Sequence, residues 1–164
     1  MKDIDTKNSK EFEVNFINEL TKHHGTVHLA IFIEPFLTYV LNGKKKWESR
    51  FSINKCAPYQ SVNKGDCILI KKSGGPIVAI GEVSDVWYFH LDKKSFAEIK
   101  KNYSDLLCIE DPIFWETKKF AEYATIINLK NIKKIEPINI NKKDRRGWLI
   151  ISKNKNQFEL SFKG

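Results

Sequence analysis

Apolar residues recur along this chain in two rhythms. Short apolar or alternating runs predict strands at residues 27–33, 46–51, 67–72, 77–88, 122–130 and 147–152, with a further one at 157–162. Residues 129–138 read either as another strand or as the end of the preceding one. Helical spacing of Phe12, Phe16, Ile17 and Leu20 predicts a helix over 10–23. Ser9 is placed to cap it, Glu11 and Glu13 fall in its first turn, and Gly25 follows its end. Shorter helices fit 35–42 and 94–103, with a turn at 111–118. Many short strands broken by Gly, Pro and Asn point to an α+β fold, a small β-barrel with flanking helices. No internal repeat, low-complexity tract or linker divides the chain. We therefore expect one domain over residues 27–164, preceded by an arm and helical packing extension over 1–26.

The most informative stretch is Gly43-Lys44-Lys45-Lys46-Trp47-Glu48-Ser49-Arg50. From Lys46 onward it alternates with a period of two, as a strand does. Lys46, Glu48 and Arg50 then share one face, and Trp47, Ser49 and Phe51 the other. A strand that gathers charges of both signs is a candidate binding site. The alternative is an exposed edge strand whose mixed charges deter aggregation.

Composition narrows the classes. An apolar fraction of 41% and an aromatic fraction of 12% belong to a globular protein, not a disordered one. The formal charge of +8, with a pI near 9.3, favours anionic partners: RNA, DNA or nucleotides. A compositional bias toward Lys, Asn and Ile would give the same charge without a ligand. Arginine is scarce, however: Arg50, Arg145 and Arg146 stand against many lysines. Its planar fork suits bidentate phosphate or carboxylate contacts, so its positions are informative. No apolar run is long enough to span a bilayer, and residues 1–10 are polar with both charge signs, which excludes a membrane partner and predicts a cytoplasmic protein. Cys56, Cys67 and Cys108 lack metal spacing and read as free thiols in a reducing compartment. His23-His24 lacks a third ligand, so neither a metal nor another cofactor is expected.

Other stretches carry candidate chemistry. In the turn at 71–76, Lys72, Ser73 and Gly74 offer backbone N–H groups and charge to an anion, although Gly-Gly also suits an ordinary hairpin. The aromatic runs at 87–89 and 114–115 either stack nucleobases or pack the core, and Trp115, on a loop segment, is the better stacking candidate. In 142–148, Asp144 can fix one arginine and leave the other, Arg145 for instance, to a phosphate; a solvated turn before a buried strand is the alternative.

The order of these features resembles the ASCH domain, a branch of the PUA-like superfamily. The shared elements are an apolar strand ending in Pro35, a helix ending in Gly-Lys-Lys-x-x-Glu-x-Arg, Gly65-Asp66 before a strand, and the Gly-bearing strand after the 73–76 turn. The resemblance spans residues 27–151. It implies a cleft lined by Lys45, Glu48, Arg50 and the 73–75 turn, holding RNA or a nucleotide-like ligand. Lys45 and Arg50 would hold phosphate, and Glu48 would accept a hydrogen bond from a base or orient Arg50. Some small relatives hydrolyse N4-acylated cytidine and share the Gly-x-Lys-x-x-x-x-Arg frame. There a Lys at the position of Lys45 assists a Thr three residues later, and a downstream Glu completes the set. Here Glu48 replaces that Thr, so the resemblance implies at most Glu48 as general base for water with Lys45 beside it, in an amidohydrolase or ribonuclease. The downstream Glu stays open among Glu82, Glu110 and Glu116. Domains of this family also occur in transcription coactivators, which implies a protein-interaction adaptor as a further alternative.

Overall fold

The structure is a computed structural model. It describes residues 11, 15, 16, 18–20, 22, 25–142, 145–151 and 160–162. The elements run β1 (Val27–Phe32), α1 (Phe36–Leu41), β2 (Trp47–Ser52), β3 (Cys67–Lys72), β4 (Ile77–His90), α2 (Lys93–Tyr103), α3 (Ile113–Lys118), β5 (Tyr123–Ile138), β6 (Ile140–Lys142), β7 (Trp148–Ile151) and β8 (Leu160–Phe162).

Six strands form one mixed sheet in the order β2-β5-β4-β3-β1-β7, while β6 and β8 pair separately. β1 and β3 are parallel and the remaining neighbours antiparallel. β4 and β5 are much longer than their partners. Register shifts at Ile77/Ala79, Ile80/Glu82 and Val83/Asp85 bend them, so that the sheet curls into a half-barrel.

Strand alternation sorts the side chains into an inside and an outside. Ala30, Phe32, Ile68, Ile70, Ile127, Leu129 and Trp148 meet in the concave interior, closed over by Leu37 and Val40 of α1. Val27, Leu29, Cys67, Leu69 and Ile151 form an outer layer, against which Phe16 and Leu20 pack. The described residues around those two, at 11, 15–16, 18–20 and 22, are helical. A second outer layer joins Ala124 and Ile126 of β5 to Ile99 of α2, Leu107 and Trp115 of α3. The α2 helix starts at a capping box in which Asp92 and Ser95 exchange hydrogen bonds.

Two expectations shift, and one choice between two readings is decided. The site strand starts at Trp47, one residue later than its alternation suggests. Residues 129–138 continue β5 rather than form a strand of their own. The segment read as a turn at 111–118 contains the short helix α3. The cap Ser9, residues 10, 12–14, 17, 21 and 23 of the expected first helix, residue 152 of the strand expected at 147–152, and 157–159 of the expected last strand lie outside the described residues. Among the described residues no helix is long and apolar enough to cross a membrane.

Candidate functional site: a charged cluster at the open end of the half-barrel

β2 is one edge of the sheet and β7 the other. Glu48 and Arg50 project from β2 into the interior, on the same parity as Thr125 and Ile127 across the β5 ladder. Trp47 and Phe51 project outward, where Trp47 stacks on Trp87 with centroids 5.0 Å apart and Phe51 meets Trp115 edge-on.

Lys45 reaches the same interior from the turn before the strand. Gly43 adopts a φ of +82° there, which an L-residue with a side chain resists. The chain folds back so that the Lys45 amide donates to Tyr39 O at 2.9 Å. Its side chain is then buried: Nζ donates to Leu107 O at 2.7 Å, lies 3.6 Å from Glu48 Oε2 and sits 5.1 Å from the Phe36 ring centroid. Burial pulls the Lys45 pKa below its ordinary value, against the attraction of Glu48, with Arg50 adding a small push in the same direction.

Arg50 spans the seam between the sheet edges. Nη2 donates to Ile31 O at 2.8 Å and Nη1 to Gly147 O at 3.1 Å. The guanidinium carbon lies 5.3 Å from the ring centroids of both Phe32 and Trp148. Its Nε is 3.2 Å from Glu48 Oε1, at an angle that makes an ion pair without a hydrogen bond. Both this Nε and Glu48 Oε2 are buried without a hydrogen-bond partner.

These groups line a cavity of about 440 Å³, within the range typical of small-ligand sites. Phe32, Phe36, Tyr59, Phe114 and Trp148 form its apolar walls; Thr125 and Arg146 add polar lining. Behind Trp148 lies a buried polar relay. The Trp148 indole N–H donates to His28 Nδ1 at 3.1 Å, and His28 Nε2 lies 2.9 Å from Asp66 Oδ2. Since indole only donates, Nδ1 is the acceptor and the proton sits on Nε2, facing Asp66. Asp66 also receives the amides of Thr26 and Asn63. Burial lowers the His28 pKa from 6.5 despite the neighbouring carboxylate.

The sequence-derived site residues divide accordingly. Lys45, Glu48 and Arg50 come together in the cavity, but both terminal nitrogens of Arg50 are already on backbone carbonyls, not held out for phosphate. It is Lys45, not Lys46, that joins Glu48; Lys46 is exposed. Lys72, Ser73 and Gly74 are exposed on the β3–β4 turn and do not line the cavity. The hairpin uses its own amides there: Ser73 N donates to Phe32 O and Gly75 N to Lys72 O. Trp115 is 3% exposed within the outer aromatic layer, so it packs α3 rather than facing the cavity. Arg145 is exposed outside the cavity, and its neighbour Arg146 lines it instead. Asp144 lies outside the described residues. Glu82, Glu110 and Glu116 each pair with a surface lysine, Lys130, Lys44 and Lys119 respectively, away from the cavity. Thr125, Tyr59, Trp148 and the His28–Asp66 pair were not singled out from the sequence. Their partners are distant along the chain, and only Gly65-Asp66, as a pre-strand motif, left a local signal.

No family model and no curated protein matches the chain. Solved structures do. An ASCH protein from Zymomonas mobilis superposes with a TM-score of 0.59 at 14% identity, covering 77% of this chain and 88% of that one. Two single-residue variants of the same protein superpose with TM-scores of 0.60 and 0.59 at 15% identity, over 77% of this chain and 89% and 91% of theirs. At that identity the likeness speaks for architecture, and it joins the element order, the mixed six-stranded half-barrel and the interior cluster in one conclusion: the chain has the α+β fold of an ASCH domain.

Proposed function

We propose that the chain binds RNA or a nucleotide-like ligand by taking one nucleobase into this cavity. The observation that carries the reading is a cluster of Lys45, Glu48 and Arg50, with Glu48 3.6 Å from the lysine and 3.2 Å from the arginine, among the lining residues of an aromatic-walled cavity. The rings of Phe36, Tyr59 and Trp148 offer a planar ligand apolar surface beside this charged cluster. Arg146 and Lys118 put positive charge on the same cavity lining, which draws a phosphate-bearing ligand.

The test is fluorescence-anisotropy binding of short single-stranded RNA, matched DNA and duplex RNA at near-physiological salt, with wild type and Glu48→Ala. Single strands are expected to bind above duplex, because a paired base cannot enter the cavity, and Glu48→Ala is expected to weaken them. Equal affinity for every form, unchanged in the variant, overturns the proposal and leaves the +8 charge as composition.

A second reading has its own observation. Lys45, its pKa lowered by burial, stands 3.6 Å from Glu48 in the same cavity. On an N4-acylated cytidine, Glu48 would take a proton from water as the oxygen adds to the acyl carbon, while Lys45 donates a hydrogen bond to the developing oxyanion. The C–N bond then breaks and the amine leaves with the proton Glu48 returns. Release of cytidine and carboxylate, lost in Glu48→Gln, is the expected result. Absence of product from acylated nucleosides and from RNA leaves binding alone.

A further inference from the structure

The cavity meets a run of consecutive residues on one strand: Glu48, Ser49, Arg50, Phe51 and Ser52 all line it. Side chains along a strand alternate between its faces, so a cavity that meets such a run faces the edge of the strand and its main chain. β2 is an edge strand. Leu129 N donates to Lys46 O at 2.8 Å, and the β2–β5 register carries that pairing on through Glu48 with Ile127 and Arg50 with Thr125. In an antiparallel ladder alternate residues turn their N–H and C=O to the partner, and the residues between them turn theirs away. Ser49 and Phe51 therefore each present an N–H and a C=O to the open edge, where among the described residues no strand pairs with them.

Main-chain carbonyls of the facing wall are already engaged. Ile31 O accepts from Arg50 Nη2, Gly147 O from Ile31 N and Arg50 Nη1, and Phe32 O from Ser73 N. The side chains of Glu48 and Arg50 are turned toward one another, 3.2 Å apart. We propose that the open edge of β2 is the polar subsite of the cavity: the main-chain N–H and C=O groups of Ser49 and Phe51 pair with the hydrogen-bonding edge of the base. The inference rests on the nucleobase reading of the cavity and names the atoms that do the reading.

Along this edge the groups alternate: donor, acceptor, donor, acceptor. Every RNA base carries an adjacent donor and acceptor in its own plane: N3–H and O4 in uracil, N4–H and N3 in cytosine, N6–H and N1 in adenine, N1–H and O6 in guanine. Each can meet a neighbouring acceptor and donor of the strand, as an added peptide does when it extends a sheet. The subsite thus takes bases as a class, where base pairing has not already used that edge. A sugar phosphate without a base offers it no such pair. Tyr59 and Trp148, on the same lining, give the ring aromatic surface.

Amide hydrogen exchange of the full chain, read residue by residue by NMR, tests this with the 5′-monophosphates of uridine and adenosine and with ribose 5-phosphate, each also titrated by calorimetry. In the free protein the amides of Ser49 and Phe51 are expected to exchange much faster than those of Glu48 and Arg50, which face β5. Saturation with either nucleotide is expected to slow Ser49, Phe51 or both at least about tenfold, while ribose 5-phosphate leaves them as they were. A nucleotide that binds and leaves both amides unprotected overturns the inference, and nucleobase binding stands. Slow exchange of both in the free protein overturns it too, since the edge is then already paired. If neither nucleotide binds or displaces single-stranded RNA, the nucleobase reading falls and takes the inference with it. The carbonyl side has its own probe. Methylation of uridine monophosphate at N3 removes the donor that meets a strand C=O and leaves the rest of the ring intact. The methylated compound is expected to bind at least about tenfold more weakly than its parent. Equal affinity of the two shows that the ring is held by its faces, not by its edge, and overturns the inference.

Discussion

Replacing Arg50 should damage the fold rather than only the ligand site. Arg50→Ala removes two charge-assisted hydrogen bonds, to Ile31 O at 2.8 Å and Gly147 O at 3.1 Å, that join the β2 edge to β1 and to the approach of β7. Bonds of this type contribute about 1.5–3 kcal/mol each. The sum is reduced here, because Gly147 O keeps the amide of Ile31 at 3.0 Å and the cavity admits water to the vacated space. The variant also strips Glu48 of the cation 3.2 Å from Oε1, which restores part of the cost. About 2–4 kcal/mol of lost stability is the expected outcome. For a chain of this size that lowers the thermal midpoint by roughly 4–16 °C. Urea unfolding followed by tryptophan fluorescence reads the change directly, since Trp148 lies under the guanidinium. Arg50→Lys keeps a charge near Glu48 but cannot fork to two carbonyls, so it should recover about half of the loss. A loss below about 0.5 kcal/mol in Arg50→Ala, with an unchanged denaturant slope, refutes the seam argument.

Two further outcomes follow from the buried charges. Lys45→Met leaves the Glu48 carboxylate with one cationic neighbour and should cost about 3 kcal/mol, while Lys45→Met/Glu48→Gln should cost at least about 1 kcal/mol less than the sum of the single changes; strict additivity in a urea double-mutant cycle argues against their coupling. The pH dependence of stability should carry the mark of His28. Its folded pKa lies below the ordinary 6.5, so as pH falls through about 6.5 the unfolded chain takes up a proton that the folded state refuses. Stability is therefore full above that pH and declines below it until the folded value is passed. His28→Gln should flatten this slope between pH values of about 7.5 and 5, and an unaltered slope places the acid sensitivity elsewhere.

The sequence was most legible where a rule of local geometry applied. Period-two alternation sent Glu48 and Arg50 to one side of β2 and Trp47 and Phe51 to the other. It could not choose Lys45 over Lys46, because that choice is made by the turn at Gly43 and by the Lys45 amide reaching back to Tyr39, before the strand begins. Trp115 looked like a residue on a loop, yet a six-residue helix buries it against Phe51 and Phe96; so short a segment has too few positions to show helical periodicity. The β3–β4 turn has the composition of an anion loop, but hydrogen bonds within the hairpin and to β1 claim the amides of Lys72, Ser73 and Gly75, and no residue type announces that. Arg145 and Arg146 are equivalent in sequence and differ only in which side of an irregular segment they leave from. The role of Arg50 as a tie across the seam, and the union of His28 with Trp148 across 120 positions, follow from sheet closure, which local pattern cannot express.

The strand order also sets when the site can come into being. β2 is the second strand in the chain but the neighbour of β5, which begins at Tyr123; its register partners for Glu48 and Arg50 are Ile127 and Thr125. The remaining acceptor of the Arg50 fork is Gly147. As the chain leaves the ribosome, β1, β3 and β4 can pair while β2 waits without a partner from Ser52 until Tyr123 is made, well over a third of the chain, holding an unpaired edge and a basic run in the open. The charged alternation that gathers the cavity groups in the finished fold is thus also what keeps this orphan strand from pairing with another chain while it waits. A product that stops before Tyr123 has the motif in its sequence and no site.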